Sequence, residues 1–350
     1  MPASHVLLAL VAAANAFSCL NQEGKFADHW TALKVNNGAE YYYRDDSAEF
    51  STEYSGTFKP GGTMADVPGA PGAILSTIGQ LYGLGTAGGP VKHYAYALYN
   101  DETPDGKTSS SHAHSKGVVL FDGTSGFWLV HSFPKWPAFP TYAGLSSDTY
   151  GQSFFCMSFQ ASELEKIAAI QALQGPLVYA SGVSQDLVGR FPAFETWIAD
   201  EHKQCAANKA TTNLTSVRGR TFTHYGKSAA CACDLWEDVV APGVGAGLRV
   251  ESWQNGPIHL KMPTFCPPKY AYAVQNISEI VMADGTSWRE TQDHSKWGVS
   301  TKAGRTACVG DINRQTSQAK RGGGAVCFTD DDHWAAFDGI VKKAFLCPVE

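Results

Sequence analysis

The tripeptide His-Ser-Lys occurs twice in this chain, at His114–Lys116 and at His294–Lys296, 180 positions apart. In a strand alternate residues face one side, so each copy presents an imidazole and an ammonium together. After the first copy, GVVLF, the turn DGTSG (Asp122 to Gly126) and FWLVHS read as a β-hairpin. After the second, WGVS, the turn TKAGR (Thr301 to Arg305) and TACVGD read the same way. His114 to His131 and His294 to Asp311 are both 17 residues. The returning strand therefore brings His131 and Ser132 to one copy, and Asp311 and Asn313 to the other. Two such clusters face to face suit phosphodiester cleavage without a metal. One histidine attacks phosphorus, the other, protonated, donates to the leaving oxygen, and the lysines hold the non-bridging oxygens.

Other histidine patterns carry less. His259-Leu260-Lys261 is a third His-x-Lys, but Met262-Pro263 follows with no strand or turn, and it reads as a surface strand end. His112-Ala113-His114 has the spacing of a two-histidine metal clip, yet no third ligand stands nearby in sequence. No metal and no other cofactor is expected.

The elements that position these residues are an interleaved set of strands and helices. AEYYYRDDS and YAYALYND are aromatic, β-rich runs closed by turn residues. Between them lies a Gly-rich surface excursion with a short helix near Ala73 to Tyr82. Ser162 to Glu165 has the form of a capping box opening a helix that Gly175-Pro176 stops. Further helices are expected over Ala193 to Gln204 and Asp331 to Ala344, the latter with acidic residues first and Lys342 and Lys343 last, as the helix dipole favours. The polar stretch from Asp200 to Ser216 is the candidate seam between an N-terminal half, 17–200, and a C-terminal half, 201–350.

The 350 residues, 44% hydrophobic and 17% charged, suit a packed globular protein and argue against disorder. After the N-terminus no apolar run is long enough to span a bilayer, so no membrane partner is expected. Val6 to Ala14 followed by Ala14-Asn15-Ala16 reads as a signal peptide over residues 1–16, although the n-region has no Lys or Arg. Nine dispersed cysteines without a CxxC pair suggest disulfides with one left over. The sequons at Asn213 and Asn276 agree with a secretory route, ending in a lysosome or outside the cell. The net charge of −6 is poor for gripping a polyanion, but charging all 11 histidines in an acidic compartment would turn it to about +5.

HSKGVVLFDGTSGFWLVHS, DTYGQSFFC, LYND, DHSKW, CVGDINR and RGGGAVC resemble the deoxyribonuclease II family, over blocks spread across most of the mature chain. That resemblance implies an α/β phospholipase D-like pseudo-dimer, two mixed-sheet halves sharing one active site at their seam. It implies metal-independent hydrolysis of double-stranded DNA at acid pH through a phosphohistidine, leaving 3′-phosphate and 5′-hydroxyl ends. By the same analogy His114 is the nucleophile and His294 the general acid, with the reverse left open, and Lys116 and Lys296 bind the phosphate. Gly310 to Asn313 looks like the superfamily's GSxN element, with Asn313 in the Asn role and His131 standing for it in the first half. Arg314 is a candidate for a flanking phosphate or for a structural ion pair. The resemblance further implies the disulfides Cys19–Cys156, Cys266–Cys347 and Cys308–Cys327, and leaves two of Cys205, Cys231 and Cys233 to pair. A phosphodiesterase of other substrate, and a secreted DNA-binding or toxin-like relative without catalysis, are the competing readings. Nothing in the sequence fixes the oligomeric state.

Overall fold

A computed structural model describes residues 17–64, 71–86, 93–144, 149–199, 207–254, 256–301 and 304–348. The signal-peptide segment and Cys205 lie outside the described residues. A two-stranded ribbon, β1 (Cys19–Leu20) and β2 (Phe26–Ala27), leads in. The first sheet comprises β3 (His29–Lys34), β4 (Glu40–Asp45), β5 (Lys59–Thr63), β6 (Ala95–Asn100), β7 (Lys116–Phe121), β8 (Ser125–His131), β9 (Gln152–Gln160) and β10 (Val178–Val183). Its spatial order is β10-β6-β7-β8-β9-β3-β4-β5, and its pairings are antiparallel. The second sheet comprises β11 (Lys209–Thr215), β12 (Thr221–Lys227), β13 (Leu248–Ser252), β14 (Val274–Val281), β15 (Ser287–Arg289), β16 (Lys296–Ser300), β17 (Thr306–Gly310), β18 (Gly323–Thr329) and β19 (Val341–Ala344). Its order is β11-β12-β18-β17-β16-β13-β14-β15, with β19 beside β14 and the β13–β14 pair parallel. The chain changes sheet between Val183 and Lys209.

The two sheets share an internal plan. β3-β9-β8-β7-β6 in the first runs like β12-β18-β17-β16-β13 in the second, and the HSK strands β7 and β16 hold matching places. Alternation along the strands explains how the sheets stack. On β9, Phe155, Met157 and Phe159 face the second sheet, while Phe154 and Cys156 face away. Phe222, Trp297, Val299, Val309, Val326 and Phe328 answer from the other side. Phe155, Phe222 and Phe328 meet with ring centroids 5.2 to 5.7 Å apart. Each such phenylalanine, buried from water, contributes about 1.5–3 kcal/mol, so this shared layer is the main bond between the halves. Polar ties add to it: Asp28 accepts from Ser216 Oγ (2.6 Å) and Arg218 N (2.8 Å), and Tyr42 donates to Asp284 (2.6 Å).

Helices cover the remaining faces. After the short α1 (Ala48–Thr52), α2 (Ala73–Thr86) lays Ile74, Ile78 and Leu81 on the outer face of the first sheet. The stretch read as a surface excursion is thus part of the core cover, because its apolar side chains have a sheet to bury against. α3 (Leu164–Gln174) and α4 (Pro192–Ala199) pack together against the shared layer. Gly175 ends α3 in the left-handed conformation, φ 72°. The expected capping box does not form: Ala161–Glu163 is a 3-10 turn, and Glu165 reaches instead to the first amides of α4 at Ala193 (3.0 Å) and Phe194 (3.3 Å). A turn of helix, α5 (Ala241–Val244), follows a π-helical segment at Trp236–Val240 on the far face of the second sheet.

The last helix, α6 (Asp331–Gly339), is shorter than its charge pattern suggested. Val341–Ala344 leaves as β19, and Lys342 and Lys343 both pair with Glu279 on β14. Cross-strand ion pairs thereby replace the expected helix-end charges. Among the described residues four disulfides form, Cys19–Cys156, Cys231–Cys233, Cys266–Cys347 and Cys308–Cys327. Asn213 is exposed on β11, but Asn276 is buried. Its amide donates to Met262 O at 2.9 Å and its oxygen accepts from Arg314, which leaves no room for a glycan in the folded protein.

His29 sits in the shared layer among Phe155, Phe222 and Phe328, 4.9 Å from His333; neither ring nitrogen is hydrogen-bonded, and Nδ1 stands 3.9 Å from the Asp28 carboxylate. Burial and then His333 push its pKa well below the usual histidine range. The folded state therefore refuses a proton that the unfolded chain takes up below about pH 6.5, and stability falls as pH drops through that value. Replacing His29 with Phe should flatten the dependence of unfolding free energy on pH between about 5 and 6.5 by up to ~1.4 kcal/mol per pH unit. Denaturant titrations at several pH values measure it; an unchanged slope would mean that His29 is already protonated in the fold.

Candidate active site

Each HSK lies where its strand begins, and each is held by the opposite half. His114 N donates to Gly322 O at 3.0 Å, and His294 N donates to Gly151 O at 2.8 Å. Gly322 precedes β18 and Gly151 precedes β9, the matching strands of the two sheets. The approach at Gly322 requires glycine, since a Cβ there would overlap the carbonyl of Gln174 at the end of α3. Further bonds repeat the exchange: Lys296 N reaches Ser153 Oγ (3.3 Å), and Arg321 donates to the carbonyls of Ser109, His112 and Ala113 (2.8 to 3.1 Å).

At the first copy, His114 Nδ1 lies 2.6 Å from the carbonyl oxygen of Asp311. A carbonyl can only accept, so Nδ1 carries the hydrogen and Nε2 keeps its lone pair when the ring is neutral. Lys116 is buried and paired with Asp101, whose other oxygen takes Arg321 Nη2 at 2.9 Å and stands 3.9 Å from His114 Nε2. Burial would raise the Asp101 carboxyl, but Lys116, His114 and Arg321 more than offset it and hold it below the usual carboxylate range. Burial, then Lys116, depresses His114 strongly, with Asp101 opposing.

At the second copy, Lys296 is buried and donates to the carbonyl of His294. Burial, then Lys116, lowers its pKa to about 7. His294 is brought down to about 2 by burial, then by Lys296, Lys116 and Lys34. Its Nε2 is buried without a partner. The ring lies parallel to Tyr150, centroids 4.1 Å apart, and 4.4 Å from Trp253. Charges of each copy thus act on the other, as a single site demands.

The residues expected beside the HSK tripeptides divide. Asp311 is buried, accepts from Gly324 N at 2.7 Å, and is raised to about 7 by burial, with Lys116 and Lys296 opposing. Asn313 is buried with Oδ1 unpartnered. His131 is packed against Trp136 (5.1 Å) and Phe154 (6.0 Å), and its Nδ1 accepts from Phe133 N at 3.2 Å. The equal 17-residue spacing does not superpose His131 on Asp311. Gly117 pairs with Val130 whereas its counterpart Trp297 pairs with Val309, so the match of Asp311 is Ser132. The hydrogen bonds agree: Ser132 Oγ accepts from Ser153 N as Asp311 does from Gly324 N.

Arg314 is fully buried and bonded to Asp234 (3.1 Å), Asn276 and the Pro263 carbonyl (3.0 Å), the structural alternative for this residue. His259 and Leu260 lie in an exposed 3-10 turn, Ile258–Leu260, and Lys261 follows in a single β-bridge to Gln315. His112 uses Nδ1 on Ser109 Oγ at 2.6 Å. Among the described residues, a histidine and carboxylates within metal-ligand reach of one another are Asp28, His29 and Asp46, away from the HSK pair. Six histidines, His29, His114, His131, His224, His294 and His333, are held below the usual range by burial, so acid does not recharge the chain as a count of histidines suggested.

Four residues at the site had no role assigned from sequence: Asp101, Tyr150, Trp253 and Arg321. Three lie within LYND, DTYGQSFFC and RGGGAVC, where likeness to a family was the only signal, and Trp253 carried none.

The sequence model of the family described as Deoxyribonuclease II matches residues 18–347. The chain is similar to Plancitoxin-1 of Acanthaster planci, 36% identical over 77% of this chain and 75% of that protein. It is also similar to Deoxyribonuclease-2-alpha of Mus musculus (30%, 95% of this chain and 94% of that one) and to Cell-death-related nuclease 7 of Caenorhabditis elegans (31%, 94% and 88%). With a family match along nearly its whole length and paired HSK strands meeting across two halves, this chain belongs to the deoxyribonuclease II family, has its phospholipase D-like fold, and is a nuclease.

Proposed function

We propose that this deoxyribonuclease cleaves double-stranded DNA at acid pH without a metal, through a phosphohistidine on His114, leaving 3′-phosphate and 5′-hydroxyl ends. The hydrogen bond from His114 Nδ1 to the Asp311 carbonyl carries this reading, because it reserves Nε2 for phosphorus. In the first step the Nε2 pair forms the P–N bond, the P–O5′ bond breaks, and the His294 proton passes to O5′. In the second, water attacks phosphorus and gives one of its protons to His294, the P–N bond breaks with its pair returning to Nε2, and the 3′-phosphate is released. Lys116 and Lys296 hold the non-bridging oxygens, and Asn313 is placed to hydrogen-bond them. His131 orients the wall beside Lys116, and Arg314 keeps a structural place. Burial and the neighbouring lysines make His294 hard to protonate, and the phosphodiester's negative charge offsets them.

The acid preference has a local cause. Below about pH 7, Asp311 loses its negative charge and Lys296 gains its positive one. The pocket becomes more cationic by up to two charges as pH falls, which favours a phosphate. Disulfides and the leader sequence support a secretory destination, a lysosome or the exterior.

Purified protein should nick plasmid DNA near about pH 5 in excess EDTA, and His114→Ala and His294→Ala should each lose roughly a thousandfold or more. Abolition by EDTA would overturn the metal-free scheme, and DNA binding without cutting would place the chain with non-catalytic relatives.

Asp311→Asn removes the ionising group while keeping an acceptor for Gly324 N. With one route of deprotonation gone, the cationic state persists to higher pH. The alkaline limb of the rate profile should move up by roughly 0.3–1 pH unit. A limb that stays put or moves down would separate Asp311 from the acid preference.

A further inference from the structure

The two HSK copies are chemically identical, yet their surroundings differ at matching positions. Asn100 pairs with Lys116 as Ser252 pairs with Lys296, so Asp101 corresponds to Trp253. Gly322 holds His114 as Gly151 holds His294, so Arg321 corresponds to Tyr150. Around each copy these two flanking residues, one from each half, touch one another. Arg321 and Asp101 form an ion pair of 2.9 Å, and Tyr150 and Trp253 meet edge to face at 6.0 Å. An ion pair on one side of the internal two-fold axis is thus an aromatic pair on the other.

Resting on the two-histidine reading, we propose that Tyr150 and Trp253 are positioning residues that make His294 the proton donor of the pair. The parallel stack, 4.1 Å between centroids and 10° between planes, fixes the plane of the imidazole, and Trp253 closes its other flank at 4.4 Å. The faces of tyrosine and tryptophan carry negative charge density and attract an imidazolium more than an imidazole. The clamp therefore stabilises His294 in the protonated form it needs when the 5′ oxygen leaves. Trp253 Nε1 and His294 Nε2 are both buried without partners, so neither is committed inside the protein, and both remain for phosphate or leaving oxygen. His114 has no aromatic ring in the matching places. It has the Asp311 carbonyl to orient it, and the Asp101–Arg321 pair keeps Lys116 beside it.

The test separates steps by leaving group. A para-nitrophenolate departs without a proton, whereas the 5′ oxygen of DNA needs one. Thymidine 3′-(para-nitrophenyl phosphate) and plasmid DNA are compared, reading nitrophenol release in the first turnover, before water clears the phosphohistidine. Tyr150→Leu should slow plasmid cutting by about tenfold or more and nitrophenol release by no more than about twofold, and Tyr150→Phe should restore plasmid cutting. Should Tyr150→Leu not fold, as judged by thermal unfolding, Trp253→Leu is read with the same two substrates. Equal slowing of both substrates, no slowing of either, or a raised KM with kcat unchanged overturns the proposal; the last would make the rings a surface for stacking bases. If instead His114→Ala keeps nitrophenol release, the two-histidine reading itself has failed.

Discussion

The site depends on an exchange of two backbone hydrogen bonds, His114 N to Gly322 O and His294 N to Gly151 O. Each HSK histidine is set by a carbonyl from the other half. Neither half can present its imidazole correctly alone, and the aromatic layer of Phe155, Phe222 and Phe328 is what keeps the exchange in register. Packing there is a condition of chemistry, since a displacement of about 1 Å at a reacting group can cost on the order of a hundredfold in rate.

The same symmetry that assembles the site would, left unbroken, give two equivalent histidines. The proposed route through a phosphohistidine needs one to give a lone pair while the other gives a proton. The fold divides the labour around the tripeptides rather than within them. Asp101 and Arg321 surround one copy with charge, Tyr150 and Trp253 surround the other with rings, and Asp311 contributes its main chain to the first copy and its charge to both.

Much of this was legible in the sequence, and the reasons for the rest are physical. His114, Lys116, His294 and Lys296 declared themselves through a repeated tripeptide in a repeated hairpin, a local pattern. His131 misled because equal spacing along the chain is not equal register when the hairpins differ by one residue. Arg314 could be read as a phosphate ligand or a structural ion pair and Asn276 as a glycan acceptor; both are buried, where they satisfy one another and Arg314 also pairs with Asp234. Lys342 and Lys343 suited a helix end until Glu279 on a distant strand was there to receive them. Tyr150 and Trp253 are about a hundred residues apart, and no one-dimensional pattern joins them before the sheets are stacked.

The four disulfides fall two-sidedly: Cys19–Cys156 closes within the first half, and Cys231–Cys233, Cys266–Cys347 and Cys308–Cys327 within the second. Covalent cross-links thus harden each half, while their union rests on the buried aromatic layer and on the peptide running from α4 to β11. A protease that cut this one connection would release no fragment from the native particle. Two separately stapled pieces would stay together around an intact site, and would part only when a denaturant reached the layer between them.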